Sequence, residues 1–408
     1  MAEIKKPVSL IEVIRARRSV RKYEPEAAPR KALNGAVAAA RLSAAFGSSP
    51  SWNIKVILDE KHAAACRKAA MSGFKGKTNV WMAAGDIPGM ACVTANPDSA
   101  PRKGDKQFYL METAMAFENF ALAASASGLG TCWLGAFDEA PVAKALELPK
   151  GTRIVAMSPI GIPYQKQITP LDITGQFDRF IKKRLHYQRR PLTETVFLEK
   201  FGKPAVWDLT PDAELLAGAS ISAGLNADDI VPGLLKKTRF VSTFAKKEVE
   251  EWKLNWLMEA ARLAPSSSNS QIWRFVIIRC KENLWRLESC AHNERGLQTP
   301  FPEAGVVIAA IADDGSQRAR GKEQPYFMID VPIAISHISL MAAELGLALN
   351  IMPDFHEGRA ARIIDAPSRS RIVALISVGY PTKRDIHGDF PMQMKLPSKP
   401  RKKGVEIV

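Results

Sequence analysis

Near the amino terminus, the stretch RRSVRKY at residues 17–23 sets Arg17, Ser19 and Arg21 at alternate positions. In an extended segment, alternate side chains point the same way. Two guanidiniums and a hydroxyl converging there suit a phosphate, because the planar fork holds oxygens in pairs and the hydroxyl adds a donor. An arginine-rich helix end carries the same letters without any ligand, so the stretch gains meaning only from its company. A second stretch, GLGTCWLGAFD at 128–138, offers glycines that let a flat ligand approach the backbone and leave amide N–H groups pointing outward. A helix C-cap followed by a core strand explains those letters equally well. The third stretch is APSSSNSQIWRFVII at 264–278, where small hydrogen-bonding residues separate an amphipathic run from a β-branched one.

The elements that must position these residues occur twice. AARL at 39–42 returns at 260–263, an offset of 221 residues, and RIVAMSPIGIP at 153–163 returns as RIVALISVGYP at 371–381, an offset of 218. A period near 220 residues is too long for a solenoid and implies two copies of one domain. Each copy reads as helix, helix, strand, variable middle, strand, long buried helix, short strand, helix, strand. Without strict βαβ alternation this favours α+β over a doubly wound sheet. The expected boundaries are 1–165 for the first copy, 166–220 for a linker region rich in turn residues, and 221–408 for the second copy. Two such copies would pair as an intramolecular pseudo-dimer.

Taken in this order, RRSVRKY, the GLGTCWLGAFD segment, the serine junction and the closing GIP or GYP resemble the FMN-dependent nitroreductase family. The resemblance spans most of both halves. It implies a nitroreductase-like α+β fold whose members are usually homodimers, with an FMN in each of two clefts at the interface. Each cleft draws the Arg-Ser-Arg and Gly-rich segments from one subunit and the Ser-Asn-Gln junction from the other. Carried onto this chain, the cofactor-binding residues would be Arg17, Arg18, Ser19, Arg21, Gly135 and Ala136 from the first copy, and Pro265, Ser266, Ser267, Asn269 and Gln271 from the second. Lys166 is either a third cation for the phosphate or a solvated linker lysine. Lys77 and Asn79 fall where family members sometimes contact flavin, in a loosely aligned region.

Only one of the two implied clefts is intact in sequence. At the 221 offset RRSVRKY becomes TRFVSTF, so Thr238, Phe240 and Ser242 stand for Arg17, Ser19 and Arg21. At the 218 offset Gly135 and Ala136 become Pro353 and Asp354. Proline has no N–H to offer a flavin edge, and aspartate would place negative charge beside a reduced ring. The first copy in turn has AFGSSPSWNI in the region where the second has APSSSNSQIW, and at the 221 offset Ser48 stands for Asn269. The losses are complementary, and one FMN per chain is expected.

Composition sets the outer bounds. With 46% hydrophobic and 24% charged residues the chain is ordinary for a soluble protein. The most apolar segments contain Glu118 and Asn119, or His337 and Glu344, which reads as buried core helix and not as a membrane span. No signal peptide is expected at the amino terminus. Five cysteines without CxxC or metal-ligand spacing leave no metal site expected and favour a reducing cytoplasm. The net charge of +15 invites nucleic acid, but no nucleic-acid-binding motif accompanies it, so none is expected. Cys132, Trp133 and Phe137 read as core residues near the site.

The resulting expectation is an oxidoreductase carrying electrons from NADH or NADPH through FMN to a small organic acceptor such as a nitroaromatic or quinone. No catalytic side chain is singled out, because the isoalloxazine does the chemistry. The chain is expected to be a monomer with internal pseudo-two-fold symmetry, without membrane or nucleic-acid partners. Two alternatives stand beside it: a non-catalytic flavin-binding or flavin-storage protein, and a flavin-free scaffold with a basic surface.

Overall fold

The first described element is the helix Leu10–Ala16, capped by Ser9, whose side chain accepts from the Glu12 amide. Serine followed three residues later by glutamate is a capping-box pattern, and the helix buries Leu10, Ile11, Val13 and Ile14. It ends at Arg17, where φ −56 and ψ 128 turn the chain out of the helix. Its counterpart Ala227–Lys237 ends at Thr238 with φ −58 and ψ 126. The computed structural model describes residues 9–46, 50–83, 87–164, 189–241, 243–291, 301–313, 325–382 and 405–407.

Two five-stranded sheets repeat one order. The first runs Val405–Ile407, Trp52–Ile57, Met90–Ala95, Arg153–Gly161 and Gly130–Thr131. The second runs Val196–Leu198, Trp273–Ile278, Val306–Ala312, Arg371–Gly379 and Ala348–Met352. In both, the leading edge strand pairs parallel and all other neighbours pair antiparallel. Both also carry a bulge in the long strand, skipping Val155 in one copy and Val373 in the other. Each long strand begins with the same ion pair to the preceding helix, Arg153 to Glu139 at 2.7 Å and Arg371 to Glu357 at 3.0 Å. This is the expected α+β arrangement in two copies.

The edge strands are exchanged. Val196–Leu198 follows the first copy yet pairs with the second sheet, and Val405–Ile407 follows the second copy yet pairs with the first. The registers match: Ile54 faces Val405 and Phe275 faces Val196, with residues 54 and 275 at the 221 offset. Each tail thereby covers an edge that would otherwise present unpaired backbone. The stretch 166–220, expected as a linker, is described from residue 189 onward, and it supplies this strand and the helix Ala213–Ala219.

The long helices Phe108–Ala126 and Phe327–Glu344 form the centre. Every residue of the first except Ser125 is buried, and all of the second are. They pack on each other and belong to one continuous hydrophobic cluster drawn from both copies. At about 1.5–3 kcal/mol per fully buried large apolar side chain, parting the copies would expose many such residues at once. Among the described residues only Phe327–Glu344 is long and apolar enough to cross a membrane, and it is wholly inside the protein.

Candidate functional site

Past Arg17 the chain runs extended beside the short strand Gly130–Thr131. Ser19 bridges Thr131, and the Val20 amide donates to Thr131 O at 2.8 Å. The approach is so close that a Cβ on Gly130 would lie 2.7 Å from Val20, which explains the glycine. Arg21, Ser19 and Arg17 all act on Cys132. Burial pushes the Cys132 thiol up, and the opposing pull of Arg21, the Ser19 hydroxyl and Arg17 does not reverse it. Cys132 therefore stays a thiol, in keeping with a core role. Arg21 is exposed, with its guanidinium 5.8 Å from the Trp81 ring centroid. Arg18 folds back onto the carbonyls of Arg15 and Arg17.

Arg17 is buried, and its Nε has no hydrogen-bond partner. Nearest in charge is Glu118, whose Oε1 lies 3.7 Å from that Nε. Glu118 is itself fully buried, takes a hydrogen bond from Trp133 Nε1 at 3.0 Å, and has its Oε1 3.1 Å from His337 Nε2. His337 comes from the second copy's long helix, so Glu118 beside Arg17 has partners in both copies.

Gly135 is exposed and Ala136 half-buried. Asn79, 4% exposed, fixes this segment by donating to Ala136 O at 2.7 Å and to Ala70 O at 3.0 Å. Tyr326 of the second copy reaches across, its hydroxyl 3.4 Å from Gly135 O. A Cβ on Gly135 would lie 3.3 Å from the Tyr326 ring, so Gly135 leaves room for that aromatic wall.

The serine junction is held in an unusual backbone. Ser268, Asn269 and Gln271 have φ of 51, 53 and 47, the left-handed region, with no glycine among them. Each such residue costs about 1–3 kcal/mol unless its surroundings enforce it. Here they do. Both Asp330 oxygens accept from the Ser267 amide, at 3.1 and 3.2 Å, and Ser266 Oγ accepts from the Gln271 amide at 3.0 Å. Asp330 is buried at the start of the long helix, and burial pushes its carboxyl up to about 7 against the pull of the Ser267 amide and the Ser270 hydroxyl. Glu112, at the 218 offset, does the same for the first copy, accepting from the amides of Phe46 and Ser51. Pro265 and Ser266 are half-buried and Gln271 is buried.

One cation escaped the sequence reading. Arg189 donates to Ala264 O, and its Nη1 lies 3.4 Å from Asn269 Oδ1. The adjacent Arg190 amide donates to Gln271 Oε1 at 2.8 Å. Burial lowers Arg189 to about 10, reinforced by repulsion from Arg17, Arg262 and Arg18 and relieved by Glu118. First-copy Arg17 and Arg18, second-copy Arg262 and the crossing arm's Arg189 thus share one field beside the junction. The only signal for Arg189 in the sequence is the basic run IKKRLHYQRR at 181–190, whose register no motif fixes. Lys166 and Ser48 lie outside the described residues.

The corresponding region of the second copy is built differently. Thr238 spends its hydroxyl on Leu234 O at the end of its own helix, and Phe240 packs against the core. Ser242 lies outside the described residues. Over Pro353–Glu357 sits a hairpin of the first copy, Arg102–Lys103 paired with Lys106–Gln107. Lys103 reaches Asp354 at 3.4 Å, and Asp105 holds Arg371 with bonds of 2.7 and 2.8 Å. Lys106 is buried, 4.3 Å from the Phe355 ring centroid, 3.3 Å from Glu357 and donating to Ile372 O. Burial brings Lys106 down to about 8, with Glu357 opposing.

Among the described residues no group of three His, Cys, Asp or Glu could hold a metal ion. The sequence profile of the Nitroreductase family matches residues 14–162 and 235–380. An NADH dehydrogenase from Thermus thermophilus is 27% identical over 177 residues, covering 36% of this chain and 84% of that protein. The iodotyrosine deiodinase of Thermotoga neapolitana is 26% identical over 170 residues, covering 36% of this chain and 87% of its own. An FMN-dependent nitroreductase of Clostridium difficile with a solved structure is 30% identical, covers 37% of this chain and 87% of that one, and has a TM-score of 0.33.

Proposed function

The chain belongs to the nitroreductase family, and from that premise we propose that it is an FMN-dependent oxidoreductase holding one FMN between its two copies. One observation carries the reading. Arg189, bonded to the second copy's strained serine junction, lies within the repulsive field of the first copy's Arg17 and Arg18. The matching place in the second copy lacks the arginines and lies under ion-paired side chains.

The residues present fit the cofactor. A buried guanidinium with an unpartnered Nε, close to Arg189, suits a phosphate. Ser266, Ser267, Asn269 and Gln271 supply the short polar groups that ribityl hydroxyls need, on a backbone already locked by Asp330. Gly135 and Ala136, tied down through Asn79, offer backbone to a ring edge, with Tyr326 as a wall. Bound FMN would supply two-electron transfer from NADH or NADPH to a small organic acceptor such as a nitroaromatic or quinone. The protein's part is to bind and orient the cofactor and to set a positive field around it. The domains are proposed as 1–165 and 221–408 with a connecting 166–220, and the chain as a monomer that serves as its own pseudo-dimer.

The test is flavin released from purified protein, counted against chain. One equivalent is expected, and two equivalents or none would overturn the single-site reading. Anaerobic NADH or NADPH should then bleach the visible flavin bands. A flavin that stays oxidised with both donors would instead make this a storage protein.

A further inference from the structure

Arg17 Nε and His337 Nε2 compete for the same atom, Glu118 Oε1, and His337 is the closer, at 3.1 Å against 3.7 Å. The imidazole is fully buried, and its other nitrogen faces Ala260 O at 2.9 Å, in the last turn of the helix Glu251–Arg262. A carbonyl only accepts, so Nδ1 carries a proton there, and Nε2 and Glu118 Oε1 share another. The second Glu118 oxygen is taken by Trp133 Nε1. Both carboxylate oxygens are thus engaged, and Arg17 Nε is left without a hydrogen bond.

The pseudo-symmetry supplies an internal control. Glu118 and His337 lie on the two central helices, and their mates at the 218 offset are Ser336 and Asn119. That second pair is also in contact, Ser336 Oγ donating to Asn119 Oδ1 at 2.8 Å, but it is neutral. On that side the arginine is absent too, replaced by Thr238. The ionisable pair stands where the arginine stands.

We propose that His337 is a positioning residue: by occupying Glu118 from the opposite copy, it keeps Arg17 from collapsing onto that carboxylate and leaves the guanidinium free for an anion. This rests on the FMN reading and adds a residue to it. In the low dielectric of the core a carboxylate with a vacated oxygen would draw Arg17 in, because an unpaired buried charge is costly. A bound phosphate would then lose its partner.

The experiment measures FMN and riboflavin affinity of deflavinated full-length protein for wild type, His337→Leu, Glu118→Gln and the double variant. Riboflavin lacks the phosphate, so the ratio of the two affinities isolates the clamp. His337→Leu should lower the FMN preference by about tenfold or more, the worth of one charge-assisted hydrogen bond, with riboflavin affinity unchanged. Adding Glu118→Gln removes the competing charge and should restore the preference. A wild-type ratio in His337→Leu would overturn the proposal, as would equal loss in the single and double variants, which marks a mere packing role. Should His337→Leu not fold, Glu118→Gln alone decides: a preference at or above wild type supports the proposal, and a lower one refutes it. A wild type that binds both flavins equally removes the FMN reading and this inference with it.

Discussion

Asp330→Asn reports on the device that locks the serine junction. The wild-type carboxyl is buried and raised to about 7, against about 3.9 in an unfolded chain. Its folded pKa is the higher, so the folded state keeps a proton that the unfolded state releases. The stability linked to that proton is fully present below pH 4 and is lost as pH rises through about 7. Three units at about 1.36 kcal/mol each set an upper bound of about 4 kcal/mol for the loss. Asparagine does not titrate and keeps one oxygen for the Ser267 amide, giving up about 1 kcal/mol of hydrogen bonding at every pH. Near pH 4 the wild type should therefore be equal or slightly better. By pH 8 the variant should lead by up to about 3 kcal/mol, the difference of those two figures. Urea denaturation of both proteins from pH 4 to 8 measures this, and taking the difference cancels the other titrating groups. A flat difference would mean that Asp330 does not carry the proton. A wild type gaining on the variant as pH rises would mean that ionised hydrogen bonding outweighs desolvation, and the reasoning would fall.

Further outcomes follow from the same geometry. Arg17→Ala with Arg21→Ala should release FMN from a folded protein, while riboflavin binds the parent much more weakly; equal parent affinity for the two flavins would assign these arginines another role. Asn269→Ala should weaken FMN binding by about 1–3 kcal/mol, read by fluorescence titration, although it lies in the other copy from Arg17. Asp105→Asn breaks the pair to Arg371, but Asp105 is largely exposed, so urea denaturation should show about 1 kcal/mol or less lost. The same variant should still bind one flavin, since the missing arginines are not restored. An isolated 1–165 fragment should not retain FMN, by equilibrium dialysis, because it lacks the junction and exposes its central helix.

The sequence by itself determined whatever depends on residue identity at a fixed offset. The repeat, the two long apolar helices and the loss of arginine at Thr238 and Ser242 are side-chain facts that alignment of the chain with itself exposes. Hydrophobic runs and caps likewise act within a few residues, so the α+β pattern was legible. What tertiary structure decided are the partners across distance. Asp330 beneath Ser267 is an ordinary helix acid in sequence, and only the fold turns it toward a loop 63 residues away. Left-handed Ser268, Asn269 and Gln271 leave no glycine to announce them, because their strain is held by hydrogen bonds from elsewhere. Arg189 was one of several letters in a basic run until the exchanged strand Val196–Leu198 fixed where its arm crosses. Lys106 and His337 became meaningful only when burial between copies forced each polar group to find a partner 266 or 219 residues away. A buried polar atom must be satisfied by whatever the fold brings near it, and local sequence does not specify that neighbour.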